Sequence, residues 1–226
     1  MTAGDQPGRG AEETFMQGLL RVSRAIDSIN EKVGRSVIWL VLIAVVISAG
    51  NAIIRKLFDT SSNAWLEVQW YLFSAIFLLA SGYTLMRNEH VRIDVLLHRL
   101  PKRSQIWVDI LGFIFFMAPF VLLMIYLSWP VFTRAYFSGE MSENAGGLIR
   151  WPVYILVPIG FALLGLQNIS ELIKRFAYLK GLIDDPTKKK VEKSAEEELA
   201  EAIRAAAEKE LAREEVEIGI AGRSDK

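Results

Sequence analysis

Few residues in this chain have side chains that do chemistry at all. There is no cysteine, and the only histidines are His90 and His98. Without thiols there is no disulfide scaffold, zinc ribbon, thiol nucleophile or cysteine-held cluster. A bis-histidine haem requires imidazoles inside facing helices. Both histidines instead fall in one short polar stretch, and no set of further ligands surrounds them to complete a metal site. No phosphate-cradling glycine loop, dinucleotide fingerprint or nucleophile motif is present. The expectation is a protein that is not an enzyme, holds no cofactor or metal, and has no nucleic-acid partner.

Two carboxylates invite more attention because they lie in apolar surroundings. Glu67 sits beside Gln69 and Trp70 near the start of a long apolar block. An acid in such a place is costly and is a functional hypothesis by default, either as a proton or ion carrier or as a hydrogen-bonding group between helices. Its position only about one turn inside the block favours a structural or inter-subunit role, since it can still reach headgroups or water. Asp109, near the start of another block, reads as an interfacial residue beside a basic loop.

The elements that carry these residues follow from the distribution of apolar content, which makes up 52% of the chain and is gathered into four blocks. The predicted spans are 36–54, 64–86, 106–132 and 151–169. A helix rises about 1.5 Å per residue, so each block reaches across a hydrocarbon core of about 30 Å. The first block is too long, and too far from the start, for a cleavable signal. Pro119, Pro130, Pro152 and Pro158 fall in or at the ends of the last two blocks, where neighbouring helices can re-satisfy freed carbonyls.

Orientation follows from the basic residues, which are retained on the cytoplasmic side. Lys and Arg number 5, 2, 5, 2 and 12 along the leader, the three loops and the tail. That alternation predicts both termini and the middle loop inside. Trp65, Trp70, Tyr71, Tyr126, Trp129, Trp151 and Tyr154 cluster at the ends expected to face out, and Tyr83 and Trp107 mark the inner boundary. The fold class expected is an all-α membrane protein of four transmembrane helices, N-in and C-in.

Outside the spans, residues 1–11 read as a disordered leader. Over 12–34, Phe15, Leu19, Val22, Ile26, Ile29 and Val33 form one apolar stripe with Arg21, Arg24 and Lys32 between them. This predicts an amphipathic helix lying in the cytoplasmic headgroup region, with membrane lipid as its partner. The segment 184–226 is a charged cytoplasmic tail, dense in Ala, Glu, Lys and Leu, and expected to be a solvated helix.

The run Glu67-Val68-Gln69-Trp70-Tyr71-Leu72-Phe73, followed by Asn88-Glu89-His90-Val91-Arg92-Ile93-Asp94-Val95-Leu96, resembles the small membrane subunit of tripartite ATP-independent periplasmic (TRAP) transporters, the DctQ family. The likeness extends through Asn144-Ala145-Gly146-Gly147 and Arg150-Trp151-Pro152 to Ser170-Glu171-Leu172, and covers a four-span domain over about 35–178. The resemblance implies a non-catalytic subunit of a sodium-coupled importer of organic anions in a bacterial inner membrane. It implies two partners, a large membrane subunit that holds the solute and sodium sites and a periplasmic solute-binding protein. The matching positions are Glu67 and, in the inner loop, His90, Arg92 and Asp94. With Gln69, Trp70 and Arg150 these form the set of expected structural or inter-subunit residues. The tail beyond about Thr187 departs from the family pattern.

Two other classes compete with this one. A small proton-coupled exporter would act as a homo-oligomer through Glu67. A redox anchor subunit is disfavoured by the placement of both histidines in a loop. A self-sufficient carrier would show repeated halves meeting at mid-membrane, and no internal repeat is present.

Overall fold

The computed structural model describes residues 7–59, 62–88, 101–185 and 203, with side chains from Thr14 onward. The chain divides into two units, Met1–Thr187 and Lys188–Lys226. Of the second unit only Ile203 is described, so the expected tail helix lies outside the described residues. The same holds for His90, Arg92 and Asp94.

The first unit is helical. Its helices are α1 (Pro7–Phe58), α2 (Asn63–Met86), α3 (Lys102–Ser138) and α4 (Trp151–Leu179). Each contains a stretch long and apolar enough to cross a membrane, at the four places where the apolar blocks predict spans. Among the described residues no strand forms, and the one isolated bridge joins Met141 to Ile149.

The helices differ from the predicted spans at their ends. Most of all, α1 runs unbroken through 11 and 34–36, where hydropathy separates leader, amphipathic segment and span. No proline or glycine pair interrupts that stretch after Pro7, so the backbone has no reason to stop where hydropathy does. α3 and α4 likewise continue past the predicted ends at 132 and 169.

α4 is the hub: α1, α2 and α3 all pack on it, and α1 also packs on α2. The backbones of α2 and α4 come close at Gly160, where a Cβ would lie 2.8 Å from the carbonyl oxygen of Leu78. Only a residue without a side chain lets the two backbones meet there, which is how helices in lipid gain packing contact. The apolar core joins Leu85 of α2, Phe113 and Val121 of α3 and Leu164 of α4.

α3 carries a π-helical turn at Phe113–Met117. Pro119 follows it, lacking an N–H and crowding the preceding turn, and widening the helix relieves that crowding. The Phe113 carbonyl accepts the N–H of Ala118 and, at 3.3 Å, the Nδ2 of Asn168 on α4. Large apolar side chains remain outside the core, among them Phe77, Phe116 and Phe120. In water such a surface is a liability; in a bilayer it is the surface the solvent demands.

Candidate functional site

Two polar constructions stand out against this apolar bundle, one at each end. At the end where α3 hands over to α4, Asn63, Glu67 and Tyr71 recur every fourth residue and so share one face of α2. All three reach the same connecting loop. Asn63 Nδ2 donates to the Ala145 carbonyl at 3.0 Å, and the Tyr71 hydroxyl donates to the Ile149 carbonyl at 2.9 Å.

Glu67 lies between them, 4% exposed, and its carboxylate enters the loop from below. Oε1 accepts from Asn144 Nδ2 at 2.8 Å and from the Ser142 hydroxyl, and Oε2 accepts the backbone N–H of Leu148 at 2.6 Å. Three donors on one carboxylate make charge-assisted bonds, the strong class of hydrogen bond. Gly147 permits the approach, since a Cβ there would stand 2.9 Å from Glu67 Oε1.

The loop itself is a tight hairpin. It leaves α3 at Gly139 (φ 63°), closes the Met141–Ile149 bridge and turns between Asn144 and Gly147, whose N–H meets the Asn144 carbonyl at 2.9 Å. Arg150 secures the far side. Its N–H donates to the Glu140 carbonyl at 2.9 Å, and its Nη1 pairs with Glu140 Oε1 at 3.2 Å and approaches the Tyr154 hydroxyl at 3.5 Å.

Glu67 and Arg150, both expected from sequence, are thus drawn to one loop, on opposite sides of it. Gln69 stands apart and accepts from Ser48 of α1 at 3.4 Å, and Trp70 is exposed. Asn63, Tyr71, Ser142 and Asn144 were not anticipated as partners, although the four-residue spacing on α2 was there to read.

At the opposite end a polar seam joins α1, α4 and α3. Ser23, Asp27 and Asn30 lie on one face of α1; Gln167, Ser170, Glu171 and Lys174 lie on one face of α4. Asn30 Nδ2 donates to Gln167 Oε1 at 2.9 Å, and Gln167 Nε2 donates to Asp27 Oδ1 at 2.9 Å. The Ser170 hydroxyl donates to the same oxygen at 2.7 Å and accepts from Ser23 at 2.7 Å. Lys174 bridges Asp27 at 2.7 Å and Glu171 at 2.8 Å.

The seam ends on Arg175, whose side chain is fully buried. Its Nη1 binds Glu171, its Nε binds Asp109 at 3.1 Å, and its guanidinium carbon lies 4.5 Å from the centre of the Phe113 ring. Asp109 is therefore no mere interfacial carboxylate beside a loop, because it is tied to a buried arginine on the next helix. Burial of these charges is tolerable because they are paired and hydrogen-bonded together. Among the described residues no group of acidic or histidine side chains is arranged to hold a metal ion.

The seam fixes which face of α1 is turned inward. Ser23 and Asn30 are buried against α4, whereas Phe15, Val22 and Ile29 of the apolar stripe are 68%, 51% and 47% exposed. Of that stripe only Ile26 is fully covered. The inward face is polar because α4 offers polar partners, and the seven-residue row Phe15, Val22, Ile29 is left looking outward.

Neither construction is a cleft for a reacting molecule; each ties helices or a loop into a fixed form. A comparison with curated proteins returns no match. Residues 44–177, more than half of the chain, match the family described as tripartite ATP-independent periplasmic transporters, DctQ component. The match takes in all of α2, α3 and the hairpin, and the seam residues of α4. The chain belongs to the DctQ family, the small membrane component of tripartite ATP-independent periplasmic transporters.

Proposed function

We propose that this chain is the non-catalytic small permease subunit of a sodium-coupled importer of organic anions, set in a bacterial inner membrane with both termini in the cytoplasm. It braces the large membrane subunit and presents the hairpin 139–150 to the periplasmic binding protein. Transporters of this family work with a large membrane subunit and a periplasmic binding protein, which makes these the natural partners. Carboxylates are the solute class put forward, with the solute and sodium sites in the large subunit.

The observation that carries the reading is that the buried charges are engaged within the chain, with Nη2 of Arg175 alone in that cluster finding no partner. Glu171 and Arg175 are bonded within the bundle, and Glu67 is occupied by three donors of the hairpin. A residue that carries a proton or ion must exchange partners during transport. Glu67 as found is committed to holding a loop, which supports a structural role over the rival exporter. A rigid body with an apolar exterior suits a brace for a moving neighbour. His90, Arg92 and Asp94 are proposed on the family resemblance alone as positions that meet the large subunit, since they lie outside the described residues.

The test is co-expression with a tag on this chain only. A much larger multi-span protein is expected to co-purify in detergent, and solute uptake in vesicles is expected to need both proteins and a sodium gradient. Stable isolation of this chain alone, or uptake by it alone in liposomes, overturns the proposal.

A further inference from the structure

Of the 6 tryptophans in the chain, all but one lie towards the ends of their helices. Trp65 and Trp70 fall in the first third of α2, Trp107 in the second turn of α3, Trp129 in the last third of α3, and Trp151 opens α4. A membrane boundary suits an indole, which keeps its ring among acyl chains and its N–H towards water. Trp39 is the exception.

Two contacts with α2 bracket Trp39 and set its depth. Ser48 donates to Gln69 at 3.4 Å, and Asn30 packs against Gly82. Trp39 lies midway between Ser48 and Asn30 along α1, so it is level with the midpoint of Gln69 and Gly82 on α2. That midpoint, at Ala75 and Ile76, is close to the centre of Asn63–Met86. At about 1.5 Å per residue it is about 16–19 Å from either end of α2, which places Trp39 near the middle of the hydrocarbon, beyond reach of either headgroup layer. Its side chain is turned outward. At this level Val37 and Ala44 are the buried residues of α1, whereas Trp39, Leu42, Val46 and Ile53 share the opposite side and are all exposed, Trp39 to 68%. Among the described residues its indole N–H meets no acceptor. Acyl chains offer none either, and an unmade hydrogen bond is costliest at this depth.

We infer that Trp39 anchors a docking face for a transmembrane helix of the large membrane subunit, with Leu42, Val46 and Ile53 packing beside it and the indole N–H donating to an oxygen of that helix. The oxygen is a hydroxyl, a carboxamide or a carbonyl freed from helical bonding. The existence of the partner rests on the function proposed above; what is added is where it docks. A second copy of this chain does not fit. Across the same stripe it would present only aliphatic side chains and carbonyls already bonded within α1, leaving both indole N–H groups unmet. Helices in lipid associate through packing and interhelical hydrogen bonds rather than through a hydrophobic drive, and a tryptophan supplies both a large rigid surface and a donor. The polar seam and the contacts with α2 hold α1 from behind, so the face is presented already formed.

The experiment uses the complex purified in detergent from cells that co-express this chain with the large membrane subunit. If the wild type never yields that complex, the proposed function fails and the docking face with it. Trp39→Ala should weaken retention of the large subunit by about thirtyfold, the scale of an anchoring tryptophan. Trp39→Phe keeps a ring but no N–H and should lose about threefold. Phe116→Ala, comparably exposed but on α3, should leave retention unchanged. Retention at the wild-type level in Trp39→Ala overturns the inference. So does a loss in Phe116→Ala with none in Trp39→Ala, which puts the partner on α3. Should Trp39→Ala fail to accumulate, Val46→Cys, in a chain with no other cysteine, carries a photoactivatable thiol reagent into the same stripe. A cross-link to the large subunit is expected. A cross-link only to a second copy of this chain, or only to lipid while the large subunit still co-purifies, overturns the docking face and leaves the proposed function standing.

Discussion

Arg175 lies against the ring of Phe113, its guanidinium carbon 4.5 Å from the ring centre, while its Nε holds Asp109 at 3.1 Å. Phe113 opens the π turn of α3, so the arginine of α4 grips α3 where it begins to depart from regular geometry. Asn168, about two turns earlier on α4, bonds the Phe113 carbonyl. A local irregularity forced by Pro119 has thus become the docking point of two helices. Paired charges, a cation over an aromatic face and a carbonyl with two donors all meet there.

Arg175→Met removes the only guanidinium in this buried cluster and leaves Glu171 with Lys174 as its one ionic partner. Breaking a buried pair from one side costs about 3–5 kcal/mol, and the surviving lysine should hold the loss near the lower figure. Thermal unfolding in detergent should register a clear fall in midpoint. Arg175→Met with Glu171→Gln should recover part of it, because the buried Glu171 is then neutral, while Asp109 still lacks its arginine. A double variant worse than the single would show that the pair is not the unit of stability.

At Gly160 the expected failure is steric. A Cβ there stands 2.8 Å from the Leu78 carbonyl oxygen and 3.0 Å from its carbon, and backbone cannot rotate aside as a flexible side chain can. Gly160→Val should force α2 and α4 apart, at an overpacking cost of about 1–3 kcal/mol. Gly112→Ala is the matched control, since an added Cβ meets nothing within 4 Å there. Exchanging that helical glycine for alanine should stabilise by up to about 1 kcal/mol. Unfolding midpoints of the two variants should move in opposite directions.

The spans were legible because hydropathy over a helix length is a coarse signal that local packing does not reverse. What escaped was the continuity of α1 with the first span, and the seam. The alternating four-and-three row from Phe15 to Val33 reads as a lipid-facing stripe and says nothing of what packs behind it. In a membrane protein apolar residues have an apolar solvent, and the buried face can be the polar one. Ser23, Asp27 and Asn30 also fall at the end of a span, where polar residues are expected for interfacial reasons and give no hint of partners. Glu67 was legible as an anomaly. Its hairpin was not, because the donors Ser142, Asn144 and Leu148 are separated from it in sequence by the whole of α3.

Glu67→Ala removes the acceptor of three hairpin donors at once, and Asn63 and Tyr71 alone should not hold the loop closed. Hydrogen exchange of the Leu148 and Ser142 amides should accelerate by at least about tenfold, as the loss of a charge-assisted bond implies. Glu67→Gln keeps the size but brings an NH₂ towards donors and should fall between the two. Helix amides of α4 should be unchanged, which separates a loop effect from general unfolding. If hairpin exchange is the same in all three proteins, the carboxylate is not what shapes the loop.

The proposed topology puts the hairpin and the N-terminal end of α1 on opposite sides of the bilayer, and the cysteine-free chain makes that directly measurable. Glu143→Cys sits on the exposed hairpin, and Ser28→Cys on the exposed face of α1. In intact cells an impermeant maleimide should label the first and spare the second. In inverted membrane vesicles the pattern should reverse. The physical reason is the asymmetry of basic residues, retained where the leader and tail lie. Removing these charges should therefore act on topology and leave the hairpin alone. Replacing Arg21, Arg24, Lys32 and Arg35 together by Gln should weaken the preference and produce a fraction labelled at Ser28→Cys from outside. Complete labelling of the hairpin cysteine from the cytoplasmic side in the parent chain would reverse the orientation and detach the hairpin from any periplasmic partner.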